Sequence, residues 1–262
     1  MEVQGIAHTK LSKFNLEGKT ALVAGASSGI GRSSAVLLSE AGANVFIVAR
    51  REARLLELQA SIEANGGTCG FFVADLSIEE NCKASVEACV QHFGGVDILV
   101  NSVGINTGRI EDAFDTENYR YVMRVDLDAS VFMIKYAHPF MEKAGGGSII
   151  NISSSAGVKA MVLSGIPYTA SKGALRSLTR MWGKQFGPAH IRVNSIYPGC
   201  ILTEMTQGSF GNPELIPLFT KDVPMGTIGE ADDIGYCVLY LASPASAYVT
   251  GQDFIVDGGL TC

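Results

Sequence analysis

Long apolar runs are missing from this sequence, so no segment is expected to cross a bilayer. Basic blocks are missing too: Lys and Arg total 20 against 26 Asp and Glu, and the net charge is −6. Such a chain lacks the electrostatic footprint that grips a phosphate backbone, so neither nucleic acid nor an anionic membrane is an expected partner. The opening residues, MEVQGIAHTKLSKFN, have no apolar core and no small-residue cleavage site, and are not read as a secretory signal. The 6 cysteines (Cys69, Cys82, Cys89, Cys200, Cys237 and Cys262) contain no Cys-x-x-Cys pair. A chain of 262 residues can bury enough core to do without disulfides, so free thiols in a reducing, cytoplasmic compartment are expected. Cys82 and Cys89 fall on one face of a helical pattern, where buried packing is the simpler role. The 4 histidines, His8, His92, His138 and His190, form no ligand pattern, and no metal is expected.

Apolar residues are plentiful at 47%, with only 18% charged, so the chain can bury a sizeable core. Short apolar runs alternate with longer helical patterns. The strand candidates are Thr20–Gly25, Asn44–Ala49, Gly70–Asp75, Val96–Asn101, Gly147–Ser153, Ile191–Gly199 and Asp253–Gly258. Several are continuously apolar, as parallel strands covered on both faces are. The helical patterns are Ile30–Ala41, Glu52–Ala64, Ile78–Phe93, Asn118–Lys143, Tyr168–Phe186 and Ala231–Ala242. This alternation predicts an α/β fold with a doubly wound parallel sheet. One long irregular connection, Leu202–Gly229, carries Met205, Phe210, Leu215, Ile216, Leu218 and Phe219, and reads as a lid over an apolar site.

The first strand runs into AGASSGIG, with glycines at Gly25, Gly29 and Gly31. Glycine permits positive φ and close backbone approach. The helix that follows offers unpaired N–H groups and a positive dipole end, which together suit a pyrophosphate. No Gly-Lys-Ser/Thr follows, so this is not a phosphate-loop NTPase. The second strand ends in Ala49, with Arg50 and Arg51 next. A carboxylate there reads a ribose 2′-OH and an arginine accommodates a 2′-phosphate, so NADP(H) is favoured, with NAD(H) as the alternative.

Taken in order, these motifs resemble the short-chain dehydrogenase/reductase family from about Leu16 to the C-terminus. AGASSGIG looks like the family's cofactor turn, with Ala24 in place of the usual threonine. FFVADLS matches the segment whose aspartate, here Asp75, contacts adenine. VNSVG keeps Asn101 and Gly104 of the family's Asn-Asn-Ala-Gly motif, while Ser102 and Val103 depart from it. NISSSAG followed by YTASK resembles the catalytic Ser…Tyr-x-x-x-Lys, and VNSIYPGCILT the Pro-Gly segment beside nicotinamide.

The resemblance implies a single Rossmann-type domain over residues 16–262 after an N-terminal extension, 1–15, with seven parallel strands and helices on both faces. It also implies a homotetramer in which the helices around Asn118–Lys143 and Tyr168–Phe186 form one interface. The implied cofactor residues are Gly25, Ser27, Ser28, Gly29, Ile30 and Gly31 in the turn, then Arg50, Arg51, Asp75 and Leu76. Asn101, Gly104, Tyr168, Lys172, Pro198, Gly199, Ile201 and Thr203 complete that set.

The catalytic set that the resemblance implies is Ser154, Tyr168, Lys172 and Asp126. A free tyrosine titrates near ~10 and gives up its proton reluctantly. A lysine ammonium one helical turn away stabilises the phenolate, which makes Tyr168 the proposed acid for ketone reduction and base for alcohol oxidation. The family's Ser-x-x-Gly pattern points to Ser154 before Gly157 as the hydroxyl that holds the substrate oxygen, whereas the commoner family spacing to the tyrosine points to Ser155. Asp126 stands where the family usually has asparagine. It can accept a hydrogen bond and reinforce the lysine charge, but when ionised it cannot donate.

The expected activity is NADP(H)-dependent interconversion of a secondary alcohol and a ketone. The small-molecule substrate is expected to be apolar or bulky: a steroid, a 3-oxoacyl chain or a cyclic ketone. Ile105–Arg109, Val158–Gly165 and the lid are expected to face it, with Arg109 and Lys159 as lesser candidates to recruit an anion. The alternative reading is a non-catalytic NADP(H)-binding redox sensor, suggested by Asp126 and the altered NSVG segment.

Overall fold

The computed structural model describes residues 12–106, 114–161 and 164–262. His8, Arg109, Val162 and Leu163 lie outside the described residues, as does most of the expected N-terminal extension.

The chain alternates β1 (Thr20–Ala24), α1 (Gly29–Glu40), β2 (Asn44–Ala49), α2 (Glu52–Ala64), β3 (Thr68–Val73), α3 (Glu79–Phe93) and β4 (Ile98–Asn101). It continues with α4 (Thr116–Met123), α5 (Ala129–Lys143), β5 (Gly147–Ile152), α6 (Ile166–Phe186) and β6 (Ile191–Pro198). The last third holds β7 (Ile201–Leu202), α7 (Gln207–Phe210), α8 (Ile216–Thr220), β8 (Gly229–Glu230), α9 (Ala231–Ala242) and β9 (Asp253–Val256).

Seven strands form one sheet in the order β3-β2-β1-β4-β5-β6-β9, and every neighbouring pair is parallel. Side chains alternate across a strand, so each strand feeds two cores. Ala21, Val23, Val45 and Ile47 join α1, α2 and α9 on one face. Leu22, Ala24, Phe46 and Val48 join α3 and α5 on the other. Cys82 and Cys89 are fully buried in that second core as packing residues, and burial pushes both thiols up to about 12. The chain winds outward from β1 to β3 and then returns to β4 on the other side of β1. At such a reversal the strand ends diverge and leave a crevice at their carboxyl ends.

Two elements depart from the sequence reading. The single helix expected over Asn118–Lys143 is broken by a π-helical turn, Arg124–Asp128, between α4 and α5. A π turn inserts one extra residue and re-aims side chains, and such turns often sit at functional sites. Here it carries Asp126, which is fully buried and whose Oδ1 accepts the Ile105 N–H at 2.8 Å. The other departure is α6, which starts at Ile166 rather than Tyr168, with Pro167 in its first turn. Proline suits that position, where its missing N–H is not needed.

The long connection also carries structure of its own. It begins at β7 and ends at β8, which pair in parallel as a second, two-stranded sheet. The Phe210 and Phe219 rings meet edge-on at 4.9 Å between α7 and α8.

Candidate active site

The crevice at the strand ends is one continuous cleft. It runs from the glycine turn, past Arg50, Arg51 and Asp75, to Ser154, Tyr168 and Lys172. Gly25 shows why the turn needs glycine. Its φ is +83°, and a Cβ there would sit 2.6 Å from the Ser102 carbonyl oxygen at the end of β4. Gly25→Ala is therefore expected to lower the unfolding free energy by about 1–3 kcal/mol, read by urea denaturation. An alanine variant as stable as the parent would contradict this packing. Gly31 is buried against the Gly25 backbone and does not border the cleft. Ser28 stands at the N-cap of α1 without a side-chain capping bond, so the first N–H groups of the helix face the cleft unclaimed by that hydroxyl. This turn, open backbone donors and flanking arginines suit a pyrophosphate and an adenosine ribose.

The two arginines after β2 differ. Arg50 Nη1 donates to the Tyr121 hydroxyl at 3.3 Å. Arg51 Nη2 reaches back to the Ser27 and Ser28 hydroxyls, each at 3.0 Å. Asp75 lines the cleft and is held by its own turn, its Oδ1 accepting the Ser77 N–H at 3.0 Å.

At the other end, Tyr168 lies half-buried in the first turn of α6. Lys172 is one turn on and only 3% exposed. Its Nζ sits 5.4 Å from the centre of the Tyr168 ring and donates to the Ile152 carbonyl at 3.3 Å. Asp126 stands behind it, with Oδ2 3.7 Å from the ammonium. Among the described residues that oxygen has no hydrogen-bond partner, and at this distance the pair is held chiefly by charge. Burial pushes the Asp126 carboxyl up to about 6, against the pull of Lys172 and the Ile105 N–H. Asp126 does not itself line the cleft; it acts on Lys172 from the protein side.

The serine run is divided by the chain's turn from β5 into a short 3₁₀ turn, Ser155–Gly157. Ser154 borders the cleft, and its Oγ accepts the Ala156 N–H at 3.1 Å, leaving its own proton to donate. Ser155 is buried and does not border it. Ser153 also lines the cleft, but its hydroxyl is committed to the Lys172 carbonyl, to which it donates at 3.1 Å.

Asn101 departs from its expected place in the cofactor set. It is buried, does not border the cleft, and donates through Nδ2 to Asn151 Oδ1 at 2.9 Å. Asn151 in turn donates to Thr179 on α6, so Asn101 ties β4 to β5 and α6. The remaining cofactor candidates, Ile30, Leu76, Gly104, Pro198, Gly199, Ile201 and Thr203, all border the cleft. Sequence reasoning missed Val125, Ile152 and Thr206, which also line it, and treated Ser102 and Val103 only as departures from a motif. All lie at or just beyond strand ends or on the π turn.

Of the six apolar lid residues, only Met205 reaches the cleft wall. Val158 and Met161 are half-buried without bordering it. Lys159 is engaged by the C-terminal segment, donating to the Leu260 carbonyl at 2.7 Å.

Comparison with known proteins agrees with this geometry. The family model described as enoyl-(acyl carrier protein) reductase matches residues 25–261. Trans-4-hydroxycyclohexanecarboxylate dehydrogenase of Sinomonas cyclohexanicum is 38% identical, over 93% of this chain and 93% of that protein. A gluconate 5-dehydrogenase from Burkholderia cenocepacia, solved with NADP and tartrate, superposes with a TM-score of 0.89 at 33% identity, covering 95% of this chain and 97% of that one. A 7α-hydroxysteroid dehydrogenase solved with NADH and 7-oxo glycochenodeoxycholic acid superposes with a TM-score of 0.89 at 30% identity, covering 94% and 96%. A family match spanning every strand-end motif, with dehydrogenases that align over nearly the whole chain, makes this protein a member of the short-chain dehydrogenase/reductase family.

Proposed function

We propose that the protein is an NADP(H)-dependent oxidoreductase that interconverts a secondary alcohol and a ketone. The observation that carries this reading is a cleft-facing tyrosine backed by a buried lysine ammonium, with a serine hydroxyl beside them. The N-terminus of α1 would hold the pyrophosphate, Arg50 and Arg51 the ribose 2′-phosphate, Asp75 and Leu76 the adenine, and Lys172 the nicotinamide ribose. Neighbours solved with NADP and with NADH support a nicotinamide cofactor of either kind. When bound, that cofactor supplies or accepts the hydride.

The chain's own residues do the rest. Ser154 donates to the substrate oxygen and fixes it beside Tyr168. Tyr168 gives its proton to that oxygen during reduction and takes it back during oxidation. Lys172 keeps a positive charge near the phenolate, and Asp126 keeps a negative one near Lys172.

The apolar part of the cleft wall supports an apolar or bulky substrate: Val103, Ile105, Val125 and Met205 line the cleft. Relatives acting on a hydroxycyclohexane acid and a hydroxysteroid point the same way. A panel of steroid, 3-oxoacyl and cyclic ketones set against small polar ketones tests the substrate class. We expect kcat/KM to be highest for the apolar compounds; a preference for small polar ones would overturn it. We also propose that the protein is a cytoplasmic homotetramer. The exposed Met181 on α6 and Tyr119 on α4 are apolar surface that an assembly of this kind would cover.

A further inference from the structure

The guanidinium expected to read the cofactor's ribose already holds a carboxylate. Arg51 Nη1 donates to Glu204 Oε1 at 2.7 Å, and Nη2 donates to Glu204 Oε2 at 2.8 Å. This is the two-point, planar pairing for which arginine is suited. The remaining contacts of Arg51 go to the Ser27 and Ser28 hydroxyls of the glycine turn. Glu204 comes from a distant part of the chain, just after β7, between Thr203 and Met205, both of which line the cleft. One guanidinium thus joins the end of β2, the glycine turn and the start of the lid. The ion pair holds the Glu204 carboxyl down at about 2, so it is charged at any working pH.

The rule for ribose recognition is a carboxylate for a 2′-OH and an arginine for a 2′-phosphate. The end of β2 has only arginines, but the lid brings a carboxylate to the same place. We propose that Glu204 is the residue that sets cofactor preference. Its carboxylate accepts a hydrogen bond from the ribose 2′-OH of NAD(H), and the 2′-phosphate of NADP(H) must expel it from Arg51. The protein then takes both cofactors. NAD(H) leaves the Arg51–Glu204 latch closed, and NADP(H) opens it and releases the start of the lid. This inference rests on the nicotinamide-binding reading above.

The test is equilibrium binding of NADPH and NADH, followed by nicotinamide fluorescence, in the parent, Glu204→Gln, Glu204→Asp and Arg51→Gln. Glu204→Gln removes the competing charge, so it should tighten NADPH by about fivefold and weaken NADH. Glu204→Asp should lie between it and the parent. Arg51→Gln should weaken NADPH far more than NADH. Glu204→Gln shifting both cofactors equally, or neither, overturns the proposal while leaving the nicotinamide reading intact. Failure of the parent to bind either cofactor would instead sink that reading and this inference with it.

Discussion

Tyr168→Phe is expected to cut kcat by about 10²–10⁴-fold while leaving the affinity for NADPH nearly unchanged. The substitution removes one oxygen and keeps the ring, so the half-buried shape of the first turn of α6 is preserved. What disappears is the proton that the substrate oxygen needs as hydride arrives at its carbon. Ser154 remains to hold that oxygen, but its hydroxyl lacks the ammonium partner that Lys172 gives Tyr168. A thermal midpoint close to that of the parent would show that the loss is chemical and not structural. Substantial turnover in the variant would remove Tyr168 from its proposed role.

Lys172→Met should lose activity by a similar margin and, unlike Tyr168→Phe, should also unfold easily. Among the described residues, Lys172 is the only positive partner of the fully buried Asp126 carboxylate. Stripping one member from a buried pair typically costs about 3–5 kcal/mol, because the other charge stays behind uncompensated. The cost should depend on pH, and its sign follows from Asp126. Its folded value, about 6, lies above the ordinary carboxylate value. Its contribution to stability is therefore full below the unfolded value of ~3.9 and is lost as pH rises through the folded one. Removing Lys172 removes an attraction that pulls the folded value down, so in the variant the loss continues to higher pH. The deficit against the parent should be small in acid and largest above neutrality.

Adding Asp126→Asn to Lys172→Met should restore much of the stability and none of the activity, and the two changes should be clearly non-additive. Asp126→Asn alone should keep or raise turnover, and a severe loss would give that carboxylate a task of its own. Urea titrations at several pH values decide the matter. A Lys172→Met deficit that does not vary with pH would contradict the buried pair.

These expectations depend on features of unequal legibility in the sequence. The sheet was readable because β1, β2 and β4 carry uninterrupted apolar runs, ALVA, VFIVA and ILV, a pattern that follows from helices on both faces. The glycine turn was readable because Gly25 and Gly29 adopt positive φ, which few other residues tolerate. The tyrosine–lysine pair was readable because its spacing is one helical turn.

The π turn was not, since the phase shift of a single extra residue is too small a break to tell from ordinary irregularity in a long amphipathic pattern. Neither was the inward turn of Asn101, because a polar residue at a strand end looks the same from the sequence whether it faces a ligand or a neighbouring strand. Ser154 and Ser155 were separable only through the 3₁₀ turn that sends one to the cleft and the other inside. The Arg51–Glu204 pair joins residues far apart in the chain through a long connection, and nothing local announces it.

The central claim is that this site performs chemistry and does not merely sense a cofactor. The most direct measurement follows the loss of reduced nicotinamide when the purified protein is mixed with NADPH and a panel of apolar ketones, with Tyr168→Phe as the blank. The account predicts many turnovers with at least one ketone and none above background in the blank. Tight NADPH binding without oxidation by any ketone would contradict it and favour a redox sensor.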